Sequence, residues 1–220
     1  MDKKTRMKVT DQARSLMLRA SFVHNLGLLN GKMGIAIFFY HYARYTKCKL
    51  YEQFAGELID EMYEDMNRNV PLGFAHGLSG IAWGIAYLLK HQFVSADEDV
   101  LQDLDERIVQ ADISRMDDLS IEYGLAGIAC YVLSRYTDDR ECCHLPDDFV
   151  NNILERLKAS ADKNCMDIYS RIQDKYCTIA EEMDTLLCKF LPMDVKHINN
   201  LGLSNGIAGW ALNKILNDHE

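Results

Sequence analysis

Glycine placement is the feature that most constrains this chain. Eleven of its 13 glycines fall in four short segments that align on one another. Gly27-Leu-Leu-Asn30-Gly31-Lys-Met-Gly34-Ile-Ala is the first and Gly73-Phe-Ala-His76-Gly77-Leu-Ser-Gly80-Ile-Ala the second. Ser120-Ile-Glu122-Tyr123-Gly124-Leu-Ala-Gly127-Ile-Ala is the third and Gly202-Leu-Ser204-Asn205-Gly206-Ile-Ala-Gly209-Trp-Ala the fourth. Each reads x-x-G-x-x-G followed by two residues that are almost all apolar. From Gly31 to Gly77 to Gly124 the step is 46 and then 47, and the step of 82 to Gly206 is close to two such periods. A glycine-free unit is therefore expected between Gly127 and Gly202. A period in the forties suits an array of helical hairpins.

Two kinds of helix alternate around these segments. Ile35-Ala-Ile-Phe-Phe-Tyr, Ile81-Ala-Trp-Gly-Ile-Ala-Tyr-Leu-Leu and Ile128-Ala-Cys-Tyr-Val-Leu are apolar nearly all round, which marks buried helices. The stretches 51–66, 97–113 and 149–161 carry apolar residues at i, i+3, i+4, i+7 and are charged elsewhere, as outer helices are. A longer run extends from Ile168 to Phe190. With only 3 prolines, little interrupts helix formation. The reading is all-α: an α/α toroid, or a partial or reduced barrel, of repeated hairpins with the glycine turns gathered at one end of the inner layer. The glycines are expected to permit close backbone approach and positive φ. No strand, linker or boundary is expected, so residues 1–220 read as one domain.

Charge narrows the partners. The formal net charge of −9 disfavours nucleic acid, which needs a basic face, and weighs against an anionic membrane; a basic peptide is compatible. Lys4, Arg6, Lys8 and Arg14 make the start locally basic, as an exposed flexible segment would be. No apolar run is long enough to span a membrane or to serve as a signal-peptide core. Seven scattered cysteines read as reduced thiols and a cytoplasmic location.

The four segments together, with a histidine before the second glycine of one, resemble the LanC family, the lanthionine synthetase cyclases and their relatives. The resemblance runs from about Gly27 to Trp210. It implies an α/α barrel, matching the layering above, and a role in maturing or binding a ribosomally made modified peptide. In cyclising members a zinc ion at the inner-helix ends activates a substrate cysteine, held by a Trp-Cys-x-Gly and a Cys-His-Gly motif. Here the matching positions read Ile121-Glu122-Tyr123-Gly124 and Ser204-Asn205-Gly206. His76 matches the acid/base candidate of Gly-x-x-His-Gly-x-x-Gly. The resemblance therefore implies a family member without the zinc ligands, no expected cofactor, and a pocket of Asn30, His76, Glu122, Tyr123, Ser204 and Asn205. Partners would be a peptide substrate or a peptide-modifying enzyme. Four clear units are fewer than the family carries, which leaves an open arc, a smaller ring, or a ring completed by an oligomer or partner. A zinc-dependent thioether cyclase is the alternative, and a non-catalytic interaction scaffold a further one.

Each of these residues also has a plainer role. His76 would bridge or cap turns instead of moving protons, and Asn30 and Asn205 would serve as helix N-caps. Cys142-Cys143-His144 is the densest metal-like cluster, but adjacent cysteines poorly share a tetrahedral site. Asp117-Asp118 with Glu122 would suit a carboxylate-based glycan enzyme, or a turn and cap. Trp83 and Trp210 would line a pocket or fill the core.

Overall fold

A computed structural model describes residues 1–66, 70–96, 99–136, 145–173, 178–194 and 200–219. Cys142-Cys143-His144 and Cys177 lie outside the described residues. Among those described there are ten α-helices and no strand, as the repeats imply. The chain divides into two compact units, Met1–Val70 with Leu187–Glu220, and Pro71–Leu186.

The first unit contains α1 (Lys3–Arg19), α2 (Lys32–Thr46), α3 (Lys49–Asp65) and, by chain order the tenth helix, α10 (Ile207–Leu216). α2 is buried on nearly every side, through Met33, Ile35, Ala36, Ile37, Phe38 and Phe39. It turns at Lys47, which takes a left-handed φ of 56°, into amphipathic α3. Phe39 meets Tyr51 and Phe54 of α3 at centroid distances of 6.0 and 4.8 Å. α2 and α1 both pack on α10, whose Trp210, Leu212 and Ile215 are buried.

The start of the chain departs from the flexible segment expected. It is a helix capped by Asp2 and anchored by Val9, Ala13 and Leu16, followed by buried Ala20. That stripe is one residue wide, so basic residues dominate the composition and conceal it.

The second unit holds α4 (Leu78–Lys90), α5 (Gln102–Val109), α6 (Leu125–Ser134), α7 (Asp147–Ala159), α8 (Lys163–Gln173) and α9 (Ile179–Phe190) as far as Leu186. α4 and α6 are the buried helices and pack on each other; α5 covers α4, while α7 and α8 cover α6. Trp83 is core, against Phe74 and Tyr87 at 5.7 and 5.3 Å. The run from Ile168 to Phe190 contains α8 and α9, each buried on one face only. Neither is apolar all round, so among the described residues the glycine-free interval shows amphipathic helices.

Candidate functional site at the glycine turns

Each glycine segment is the second half of a seven-residue turn that caps the helix after it. The first helical N–H groups of a helix lack partners within it. Here they bond to main-chain carbonyls seven residues upstream: Lys32 to Asn25 at 2.8 Å, Leu78 to Pro71 at 2.8 Å, Leu125 to Asp118 at 2.9 Å and Ile207 to Asn200 at 3.0 Å. Met33, Ser79 and Ala208 repeat this on Leu26, Leu72 and Leu201. The N-cap residue is therefore glycine in every case, Gly31, Gly77, Gly124 and Gly206, with no side-chain cap. This corrects the expectation that Asn30 and Asn205 cap these helices. The expectation of positive φ is corrected too: no described glycine has it, and Asn205 takes 51° instead. What requires glycine is space. A Cβ at Gly77 would lie against the Pro71 carbonyl oxygen and 2.7 Å from that of Gly73.

An Asx residue opens three of the turns. Asn25 Oδ1 accepts from Gly27 N–H (2.8 Å), Asn200 Oδ1 from Gly202 N–H (3.0 Å) and Asp118 Oδ1 from Ser120 N–H (2.7 Å). Those Ser120 hydrogen bonds hold the Asp118 carboxyl below its usual range. Asp118 thus builds a turn, which is the plainer of its two readings.

Turns dock in pairs, once in each unit and in the same register. In the first unit Ser204 N–H donates to Leu29 O at 2.9 Å, and Gly202 faces Asn30, where a Cβ would come within 2.6 Å of Asn30 Cα. In the second, Ala75 N–H donates to Glu122 O at 2.8 Å, and a Cβ on Gly73 would reach 3.2 Å from Tyr123 Cα. The third glycines close the match: Cβ atoms on Gly34 and Gly127 would meet Leu203 at 2.8 Å and Phe74 at 2.6 Å. In repeat terms, the fourth turn docks on the first as the second docks on the third. The seat beside the first repeat on that side is taken by the chain's own last repeat.

These dockings bring the expected site residues together within each unit. In the second unit the Tyr123 hydroxyl is 3.3 Å from His76 Nε2, with ring centroids 5.7 Å apart. His76 is half-buried; Tyr123 and Glu122 are exposed. In the first unit, with its amide nitrogen turned toward them, Asn30 donates to Leu29 O and Ser204 O at 3.3 and 3.2 Å. Asn200 Nδ2 also donates to Ser204 O, at 3.0 Å. Ser204 is half-buried and Asn205 exposed. Of the four residues that open the turns, a repeat begun at Gly27 misses Asn25, Pro71 and Asn200, while Asp118 reads as a turn residue or as a carboxylate of a glycan enzyme. The signal was present: each is followed by leucine, at 26, 72, 119 and 201, then by glycine or serine.

Four glycine turns of one design, each opening a buried helix and docked pairwise, define a repeat protein of the inner-and-outer-helix class. Its family is settled by comparison with known families: the chain matches the lanthionine synthetase C-like protein family over residues 23–216 and belongs to it. That family has an α/α-toroid fold. No curated protein and no solved structure matches the chain significantly.

The zinc implied by the resemblance is poorly matched by the donors present. A serine hydroxyl and an asparagine amide stand where a thiolate and an imidazole would bind, and both are weak zinc ligands. Among the described residues, no three His, Cys, Asp or Glu side chains gather as a metal site.

Proposed function

We propose that this LanC-like protein binds a ribosomally made peptide during its modification and does so without zinc-dependent cyclase chemistry. The observation that carries the reading is Ser204-Asn205-Gly206 in the fourth turn, at a register supported by the common capping and docking geometry of all four turns. A cyclase needs its substrate thiol as thiolate. A thiol with pKa near 8.5 is mostly protonated at neutral pH unless a metal or cation lowers it. Each unit offers turn residues for peptide contact: His76, Glu122 and Tyr123 in one, and Asn30, Ser204 and Asn205 in the other. His76 beside Tyr123 offers an acid/base group and an exposed aromatic surface. The setting is cytoplasmic, and the partners are a peptide and the enzyme that modifies it.

The test has two arms. Elemental analysis after dialysis against a mild chelator reads less than a tenth of a zinc per chain on the order of background, with uptake restored by Ser204→Cys with Asn205→His. Fluorescence polarisation with a labelled model peptide carrying one cysteine and one dehydroalanine reads binding to the parent, weakened about tenfold or more by His76→Ala with Tyr123→Ala. About one zinc per parent chain, with thioether formed in the peptide, would return the cyclase reading. No peptide binding would leave the interaction scaffold.

A further inference from the structure

The basic residues near the start of the chain are gathered by α1 onto one outward face. Six of the chain's 24 basic residues lie in Lys3–Arg19 but only one of its 33 acidic residues, so the helix is +5 while the remainder of the chain is −14. The net charge, from which no lipid partner is expected, averages over this asymmetry.

The buried stripe of α1, Val9, Ala13 and Leu16, is turned into the first unit. The opposite face is unlike an ordinary solvated face. Met7 and Leu18 are eleven residues apart, three helical turns, and lie in line, with the exposed carboxylate of Asp11 on the same line between them. Phe22, in the short 3-10 turn that follows, is exposed as well. Their exposures are 63%, 78% and 79%. Lys4, Lys8 and Arg19 flank this line on one side, Lys3 and Arg14 on the other, and all five are exposed. Arg14 is loosely paired with Asp11 at 3.9 Å, and Arg6 is drawn aside to Asp218 at 3.5 Å.

We infer that this face of α1 is a docking surface for an anionic lipid bilayer, on which the helix lies parallel to the membrane plane. Exposed apolar side chains among cations are the layout of an interfacial helix, with Leu18 and Phe22, beyond Asp11, entering the acyl boundary and the cations at the headgroups. Three of the five flanking cations are lysines, whose flexible stems suit the headgroup region. The +5 of α1 gives an anionic surface a local attraction that the chain's net charge of −9 conceals. The reading is independent of the peptide-binding proposal.

Vesicle co-sedimentation of the whole chain tests it, with phosphatidylcholine vesicles against vesicles containing about one-third phosphatidylglycerol, near the composition range of anionic membranes. Binding is expected on the anionic vesicles alone and is expected to fall with added salt. Lys3→Gln, Lys4→Gln and Lys8→Gln together should weaken it about 100-fold. Leu18→Ser with Phe22→Ser should weaken it about tenfold or more. All five positions are exposed, so circular dichroism and the melting temperature should match the parent. Absence of binding to anionic vesicles at low salt overturns the proposal, as does an undiminished triple variant. Poly-glutamate captured by the parent with no vesicle binding would assign the face to an acidic protein and overturn it equally.

Discussion

At the scale of single residues, the turns use glycine for contact and not for conformation. Gly77 and Gly127 have ordinary backbone angles, yet a Cβ on either would press on a main-chain carbonyl, that of Pro71 or Ile121. Neither oxygen can retreat: Pro71 O accepts the Leu78 N–H, and a Cβ on Gly127 would also meet Phe74 Cβ. Gly56 in α3 is the counter-example, since a Cβ there would meet only the Tyr40 hydroxyl at 3.9 Å. Gly77→Ala or Gly127→Ala should therefore lower stability by about 2–3 kcal/mol in urea unfolding. Gly56→Ala should raise it by up to about 1 kcal/mol, because alanine is the better helix former. Equal effects at Gly56 and Gly77 would show that the turns have slack that the docking geometry denies.

At the scale of helices, one inner helix breaks the pattern of the others. Leu78, Leu125 and Ile207 open α4, α6 and α10, while α2 opens with Lys32. Its side chain is 5% exposed and its ammonium donates to Glu61 at 2.9 Å and Asp65 at 3.3 Å on α3. The pair ties the hairpin together, but burying a charge offsets much of the gain. Lys32→Leu should be within about 1 kcal/mol of the parent, the register of the repeats supplying a site shaped for leucine. Glu61→Gln with Asp65→Asn should cost about 1–2 kcal/mol, discounted because both carboxylates are partly in water. Thermal melts of the two variants give the comparison, and a Lys32→Leu loss exceeding that of the double variant would refute it. The same register made most of the helices legible in advance. Inner helices declare themselves by being apolar all round and starting at glycine. α1 was illegible because Val9, Ala13 and Leu16 form a stripe one residue wide among six basic residues. The caps were illegible for a different reason: side-chain capping is a property of sequence, whereas a carbonyl seven residues upstream is a property of the turn path. The site was legible only in part. His76 and Tyr123 occupy equivalent places in their repeats, and their contact follows from docking of the second turn on the third, which no single repeat reveals.

At the scale of the whole molecule, the first unit is assembled from the two distant parts of the chain, whereas the second is continuous from Pro71 to Leu186. The first repeat depends on the fourth. Leu29 O accepts from both Leu203 and Ser204, Gly34 lies against Leu203, and α2 packs on α10. Leu203, Trp210, Leu212 and Ile215 are all buried. At about 1.5–3 kcal/mol for each large apolar side chain, these four contribute about 6–12 kcal/mol, comparable with the whole stability of a domain. A chain ending at Leu186 should therefore lose the fold of its first unit and not merely fray at one end. α4 and α6, whose docking partners both lie in the continuous unit, should keep theirs. Amide hydrogen exchange separates the outcomes: protection over 33–43 should collapse in the shortened chain, while protection over 81–88 and 128–133 should persist. Retained protection in α2 would mean that its hairpin with α3 is self-sufficient. The fourth-to-first docking would then orient the turns without holding the first unit together.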